Sequence, residues 1–218
     1  MNRYQLIIFD LDGTLLDTLE DLMGATNHVL TQMGHPTRTI EEVRRFVGNG
    51  IRNLMSRALP EGADEAEISQ AFELFLPYYR EHSTDCTKPY EGVPELLARL
   101  RTEGYRIAIL SNKADAAVQS LCQRYFPGLY DLCRGERAGV AKKPAPDAVY
   151  EILNETGVSK DAAVFIGDSE VDVLTAKNAD VDLIAVDWGF RSADTLRKAG
   201  AEQILSDTKS LLNALIKV

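Results

Sequence analysis

Four short runs of continuous apolar residues, Leu6–Phe9, Ile107–Leu110, Val164–Ile166 and Leu183–Val186, constrain this chain more than any other feature. Each is rich in bulky aliphatic residues and soon gives way to polar residues or glycine. A strand exposed on one face alternates apolar and polar residues, whereas a strand covered on both faces is apolar throughout. The runs therefore predict strands buried inside a layered sheet. Helical patterns lie between the later runs: Val118, Leu121, Cys122 and Tyr125 share one face, as do Val149, Ile152 and Leu153 ahead of a stop at Gly157. Strands alternating with helices predict a Rossmann-like parallel sheet with right-handed crossovers, an α/β fold. Fainter strand patterns at Asp131–Arg134 and Gln203–Leu205 extend it.

Residues 10–106 separate the first two runs, too many for one crossover, and their pattern is helical. Leu19, Leu22, Met23, Thr26, Val29, Leu30 and Met33 trace one stripe ending at Gly34; Ile68, Ala71, Phe72, Phe75 and Tyr79 trace another, with a kink expected at Pro77. Residues 16–88 are expected to form an inserted helical domain, and 1–15 with 89–218 the α/β core. The Pro89–Pro94 stretch, with Gly92 inside it, reads as a returning hinge.

The charge balance is 33 acidic against 24 basic residues, a net −9, so the average field repels nucleic acid and anionic membrane. No uncharged apolar run approaches the roughly 20 residues that span a bilayer, and four apolar residues before Asp10 are too few for a secretory signal. The three cysteines, Cys86, Cys122 and Cys133, are odd in number and lack CxxC spacing, which suits reduced thiols in a cytoplasmic protein. His28, His35 and His82 form no ligand cluster and receive no role.

Ligands of an open parallel sheet bind beyond the carboxyl ends of its strands. There the sequence places Asp10-Leu11-Asp12-Gly13-Thr14, then Ser111-Asn112-Lys113, then Lys143-Pro144 before a helix, then Gly167-Asp168-Ser169-Glu170-Val171-Asp172. Singly these are ordinary: Asp-Gly is a turn, Ser111 a helix cap, Asp168 a helix N-terminal acid, Lys143 a solvated lysine. Together they gather carboxylates at one edge, and ionised carboxylates cannot crowd without a cation. Oxygen donors with no imidazole or thiolate point to Mg²⁺. Such an ion, with a lysine and the donors at the helix beginning near Ala114, suits a phosphoryl group.

These four motifs, in this order along the whole chain, resemble the haloacid dehalogenase superfamily of phosphohydrolases. The resemblance implies that Asp10 is the nucleophile, forming an aspartyl-phosphate and ligating Mg²⁺, and that Asp12 is the general acid and base while its carbonyl contacts the metal. It makes Ser111 and Lys143 the remaining catalytic residues, Thr14 and Asn112 substrate contacts, and Asp168 and Asp172 metal ligands, Asp172 directly or through water. Ser169 and Glu170 receive no chemical role.

The insertion resembles the helical cap of the phosphoglycolate phosphatase-like branch, whose substrate loop is matched by Arg45-Phe46-Val47-Gly48-Asn49-Gly50-Ile51-Arg52. This implies substrate contacts at Gly48, Asn49 and Gly50, with Arg45 and Arg52 either favouring an anionic substrate or serving as surface charges; an ordinary inter-helix turn fits the same residues. Dehalogenases of the superfamily lack the second aspartate, present here as Asp12. Phosphonoacetaldehyde hydrolases need a cap lysine, and the only lysine in residues 15–88 is Lys88. The expected activity is hydrolysis of a small phosphorylated metabolite, 2-phosphoglycolate foremost, by a monomer or homodimer without nucleic-acid or membrane partners. A pyrophosphatase, a sugar-phosphate phosphatase or mutase, and a noncatalytic phosphate-binding protein remain alternatives.

Overall fold

The computed structural model describes residues 3–48 and 50–216. In chain order the elements are β1 (Leu6–Phe9), β2 (Leu16–Asp17), α1 (Leu19–Gln32), α2 (Ile40–Phe46), α3 (Ile51–Ala58), α4 (Glu65–His82), β3 (Lys88–Pro89), α5 (Val93–Thr102), β4 (Arg106–Ala114), α6 (Asp115–Tyr125), β5 (Leu132–Glu136), α7 (Asp147–Thr156), β6 (Ala163–Gly167), α8 (Glu170–Ala179), β7 (Asp182–Val186), α9 (Ala193–Ala199), β8 (Ile204–Leu205) and α10 (Thr208–Leu215). The chain divides into two compact units, residues 1–16 with 89–218, and residues 17–88.

The first unit is an α/β layer structure around a six-stranded sheet in the order β5-β4-β1-β6-β7-β8, every neighbouring pair parallel. Strand side chains alternate between its two faces. Ile7, Phe9, Ile107, Ile109, Val164 and Ile166 join one buried cluster with Val93, Leu96, Leu97 and Leu100 of α5 and Val118, Leu121 and Cys122 of α6. Leu6, Ile8, Ala108, Leu110, Ala163 and Phe165 join another with Ala148, Val149, Ile152 and Leu153 of α7 and Ala176 and Ala179 of α8. Both faces are covered, as continuous apolarity in the runs requires. Leu16 belongs with this unit rather than with the insertion, because it is fully buried in the first cluster.

The second strand is longer than its apolar run. β4 continues through Ser111, Asn112 and Lys113 to Ala114, with its pairing to β5 shifting register between Leu110 and Ala114. The irregularity lets the polar residues stay in the strand while changing where they point.

The second unit is helical. The α1 stripe buries Leu19, Leu22, Ala25, Thr26, Val29 and Leu30, and α4 buries Ala71, Phe75 and Tyr79, while Met23, Met33, Ile68 and Phe72 are half-buried. α4 continues through Pro77. Asp21, buried on α1, accepts the Cys86 and Thr87 N–H groups at 2.9 and 2.8 Å, fixing the segment that follows α4. Thr39 and Glu42 form a reciprocal capping box at the start of α2. Among the described residues no helix is long and apolar enough to cross a membrane.

Phe165 is fully buried on β6 at the centre of the second cluster. Phe165→Ala is expected to destabilise the protein by about 3–5 kcal/mol through lost apolar transfer and a residual cavity; chemical denaturation of the two proteins measures it, and a change below about 1 kcal/mol would show that the neighbours collapse into the space.

Candidate active site

The site grows from the register of two adjacent strands. Phe9 pairs with Ile166, and the next N–H, that of Asp10, donates to the Ile166 carbonyl at 2.8 Å. Asp10 therefore emerges beside the end of β6, where Gly167 and Asp168 follow. One oxygen each of Asp10, Asp168 and Asp172 lies within 4.8 Å of the others, and all three residues are buried.

Each carboxylate is fixed by the chain. Lys143 Nζ donates to Asp10 Oδ1 and to Asp172 Oδ1, both at 2.7 Å. Asp172 Oδ2 accepts from the Ser169 N–H at 3.1 Å and its hydroxyl at 2.6 Å, closing the first turn of α8. Asp168 Oδ1 accepts from the Thr14 hydroxyl at 3.0 Å, and Oδ2 from the Phe190 N–H at 2.7 Å. Close approach needs glycine at position 13: its φ is +94°, and a Cβ there would lie 2.4 Å from Asp168 Oδ2.

Asp12 heads a neighbouring group. Its Oδ2 accepts from the Ser111 hydroxyl at 3.2 Å, and Lys113 Nζ lies 2.9 Å from its Oδ1. The Lys113 N–H donates to the Ser111 oxygen at 3.1 Å. Asn112 turns its amide onto the Lys143 carbonyl at 2.8 Å, so its side chain supports the lysine loop.

Burial holds the Asp10 carboxyl well above the usual carboxylate range, and the nearby Asp172 charge adds to this while Lys143 opposes it. Burial, then Asp172, also pushes Asp168 up to about 7, against the Phe190 and Thr14 hydrogen bonds. For Lys143 burial favours the neutral amine, but Asp10 and Asp172 together outweigh it and raise its pKa. Three buried carboxylates against one ammonium leave two negative charges, a deficit that one divalent cation matches. The donors are carboxylate oxygens with no histidine or cysteine among them, a set suited to a hard cation.

Comparison with known proteins gives the family of the chain. The haloacid dehalogenase-like hydrolase family matches residues 7–186. The chain belongs to the haloacid dehalogenase-like hydrolase family. A phosphoglycolate phosphatase of Pseudomonas putida is 34% identical over 214 residues, covering 95% of this chain and 78% of the relative. Another from Psychrobacter arcticus is 31% identical over 223 residues, covering 98% and 96%. A crystal structure from Lactobacillus delbrueckii subsp. bulgaricus, whose name offers phosphoglycolate phosphatase as a proposal, superposes with a TM-score of 0.95 at 38% identity over the whole of both chains.

In this haloacid dehalogenase-like chain the residues expected at the strand ends lie together: Lys143 bonds Asp10 and Asp172, Thr14 bonds Asp168 close beside them, and Asp12 and Ser111 form an adjoining pair. Gly48 and Gly50 belong to the helical unit, where Gly50 precedes α3 with φ +91°. Asn49 lies outside the described residues. Arg52 pairs with Glu65 and donates to Ser69 Oγ at 2.9 Å, contacts within the helical unit. Two contributors have no role assigned from sequence, although Lys113 stands in the motif after the second apolar run. Lys113 braces Asp12, and the segment after β7 supplies the Phe190 N–H.

A cation that binds only the folded protein stabilises it, by about 2.7 kcal/mol at a hundred times its dissociation constant. Adding a divalent cation to chelator-treated protein is expected to raise Tm, and Asp168→Asn to abolish the rise. Scanning fluorimetry checks both; equal shifts in the two proteins would remove Asp168 from the cation site.

Proposed function

We propose that the chain is a Mg²⁺-dependent phosphatase acting through an aspartyl-phosphate on a small phosphorylated metabolite, with 2-phosphoglycolate as the favoured substrate. The observation that carries this is Asp10 at the end of β1, its Oδ1 fixed by buried Lys143 beside the Asp168 and Asp172 carboxylates. The names of the relatives from Pseudomonas putida and Psychrobacter arcticus support the choice of substrate.

In this reading Asp10 Oδ1 stays with Lys143, leaving Oδ2 to attack phosphorus. The bond from Oδ2 to phosphorus forms as the bond to the leaving oxygen breaks, and Asp12 gives that oxygen its proton. Water then attacks the phosphorus, loses a proton to Asp12 and releases Asp10. Ser111 and Lys113 hold Asp12 for both transfers. Asp10, Asp168 and Asp172 are the side chains that would hold the cation, with the Asp12 carbonyl added by the family resemblance. Bound there, Mg²⁺ supplies Lewis-acid neutralisation of the charge on the phosphoryl oxygens. Thr14 orients Asp168, and Asn112 the lysine loop.

A cytoplasmic location belongs to the same proposal and is supported by the three cysteines, all free thiols. Assignment of Gly48, Asn49 and Gly50 to the remainder of the substrate belongs to the same proposal and rests on the sequence resemblance.

Turnover of 2-phosphoglycolate and of p-nitrophenyl phosphate should require Mg²⁺, stop in chelator and return on readdition; full activity in chelator would sink the metal assignment. Asp10→Asn, nearly isosteric, should leave no measurable turnover with the fold intact by circular dichroism. Asp12→Asn should slow turnover by ~10² to 10⁴, the usual contribution of a general acid or base.

Choice of leaving group has its own test. Phosphoryl stabilisation serves every substrate, whereas contacts to the remainder serve only one. Gly50→Ala is therefore expected to lower kcat/KM for 2-phosphoglycolate more than for p-nitrophenyl phosphate. Equal losses would make the loop a structural turn and remove its claim on the substrate.

A further inference from the structure

The segment that leaves β7, Asp187-Trp188-Gly189-Phe190-Arg191, is unused by the mechanism yet touches both loops that carry the carboxylates. The Asp187 N–H donates to the Leu205 carbonyl at 3.1 Å, anchoring the start of the segment to β8. Trp188 Nε1 donates to the Thr14 carbonyl at 3.1 Å. Gly189 presses so closely that a Cβ there would lie 2.2 Å from the Gly13 carbonyl oxygen and 2.4 Å from Asp168 Oδ2. The Phe190 N–H holds Asp168 Oδ2 at 2.7 Å. The side chain of Arg191, only 11% exposed, places Nε 2.9 Å from Glu170 Oε2.

The last two contacts form a two-rung ladder. One rail is Asp168 and Glu170, running from the end of β6 into α8; the other is Phe190 and Arg191. The inner rung orients a carboxylate of the cation site, and the outer rung is an ion pair between Arg191, next to Phe190 on one rail, and Glu170, two positions beyond Asp168 on the other. We propose that Arg191 is a positioning residue: by clamping Glu170 it keeps the Phe190 N–H on Asp168 and so sets the orientation of that carboxylate toward the cation. This rests on the cation reading above and adds roles for Arg191 and Glu170, neither of which enters the reaction.

Charge alone makes the opposite forecast, which renders the proposal testable. Removing a cationic side chain beside an acidic site strengthens binding of a metal cation by Coulomb's law. Removing a brace weakens it, since groups that orient metal ligands commonly contribute 10–100-fold in affinity. Arg191→Met keeps the apolar stem and loses the donors. It is expected to raise the dissociation constant for Mg²⁺ alone about tenfold, while Arg191→Lys, which keeps the charge, loses less. Glu170→Gln should weaken binding too, and the double variant with Arg191→Met should lose less than the sum of the two.

Titration calorimetry with Mg²⁺ measures affinity, and fluorescence of Trp188, the single tryptophan, reports the segment directly. Melting temperature in excess chelator separates bracing from general stability: positioning predicts a metal-free Tm within about 2 °C of the original protein, a shift worth at most about 1 kcal/mol. Unchanged or tighter Mg²⁺ binding by Arg191→Met overturns the proposal. So does a weakening matched by a large fall in metal-free Tm in both position-191 variants. Absence of Mg²⁺ binding by the original protein would instead refute the cation reading itself, a distinguishable failure.

Discussion

Everything at the site depends on one buried ammonium group. Lys143 Nζ stands between Asp10 and Asp172, and none of the three could be buried as an ion alone without a penalty of several kcal/mol. The lysine thereby ties the end of β1, the first turn of α8 and its own loop ahead of α7 into one unit. Its loop is held by backbone contacts as well. Asn112 from β4 donates to the Lys143 carbonyl, and Asn178 from α8 to the Pro144 carbonyl, both at 2.8 Å. Removing the ammonium would leave two buried carboxylates facing one another, so the fold of this edge and its chemistry share a single dependence.

That edge exists because of the sheet. All neighbouring strands are parallel, so their carboxyl ends face one way, and β1 sits inside the order between β4 and β6. The chain runs from β1 to β4 and β5 on one side, then crosses back to β6, β7 and β8 on the other. The reversal lies at β1, the position where open α/β sheets bind ligands. Register then does the fine placement. Phe9 pairs with both Ile109 and Ile166, so the residues that follow on all three strands emerge at one level. Apolar packing on both faces is what keeps that register from slipping.

Much of this was legible in the sequence because burial on both faces writes itself as continuous apolarity, and because motifs that are ordinary singly all fall after such runs. Other parts were written in groups that have no side-chain signature. The Phe190 N–H that holds Asp168 is a backbone atom, and the fit of Gly189 against Gly13 appears only when two loops 176 positions apart meet. A pointer existed nonetheless: the rule that sites follow strand ends, applied to Leu183–Val186, leads straight to Asp187-Trp188-Gly189. The extension of β4 through Ser111 was hidden for a different reason, since a register irregularity is decided by pairing with β5. Thr14 and Asn112 show the same limit. The motif marked them as belonging to the site, but their hydrogen bonds go to Asp168 and to the Lys143 carbonyl, which only the folded chain reveals.

Charge accounting across the hydrogen-bonded side chains of this edge explains why the proposed cation and phosphoryl group would belong together here. Asp10 and Asp172 engage Lys143, while Asp12 engages Lys113. Asp168 is held by neutral donors, the Thr14 hydroxyl and the Phe190 N–H. Both lysines already face carboxylates, so the four aspartates and two lysines carry two negative charges between them when ionised. A phosphate dianion approaching that group meets net repulsion, in a chain whose overall charge is −9. A divalent cation held by these carboxylates would cancel the local surplus and so remove that repulsion. In the phosphatase reading, Asp10, Asp168 and Asp172 would hold a cation whose charge offsets the repulsion of the phosphoryl group, since the buried lysine already shares its charge between two carboxylates.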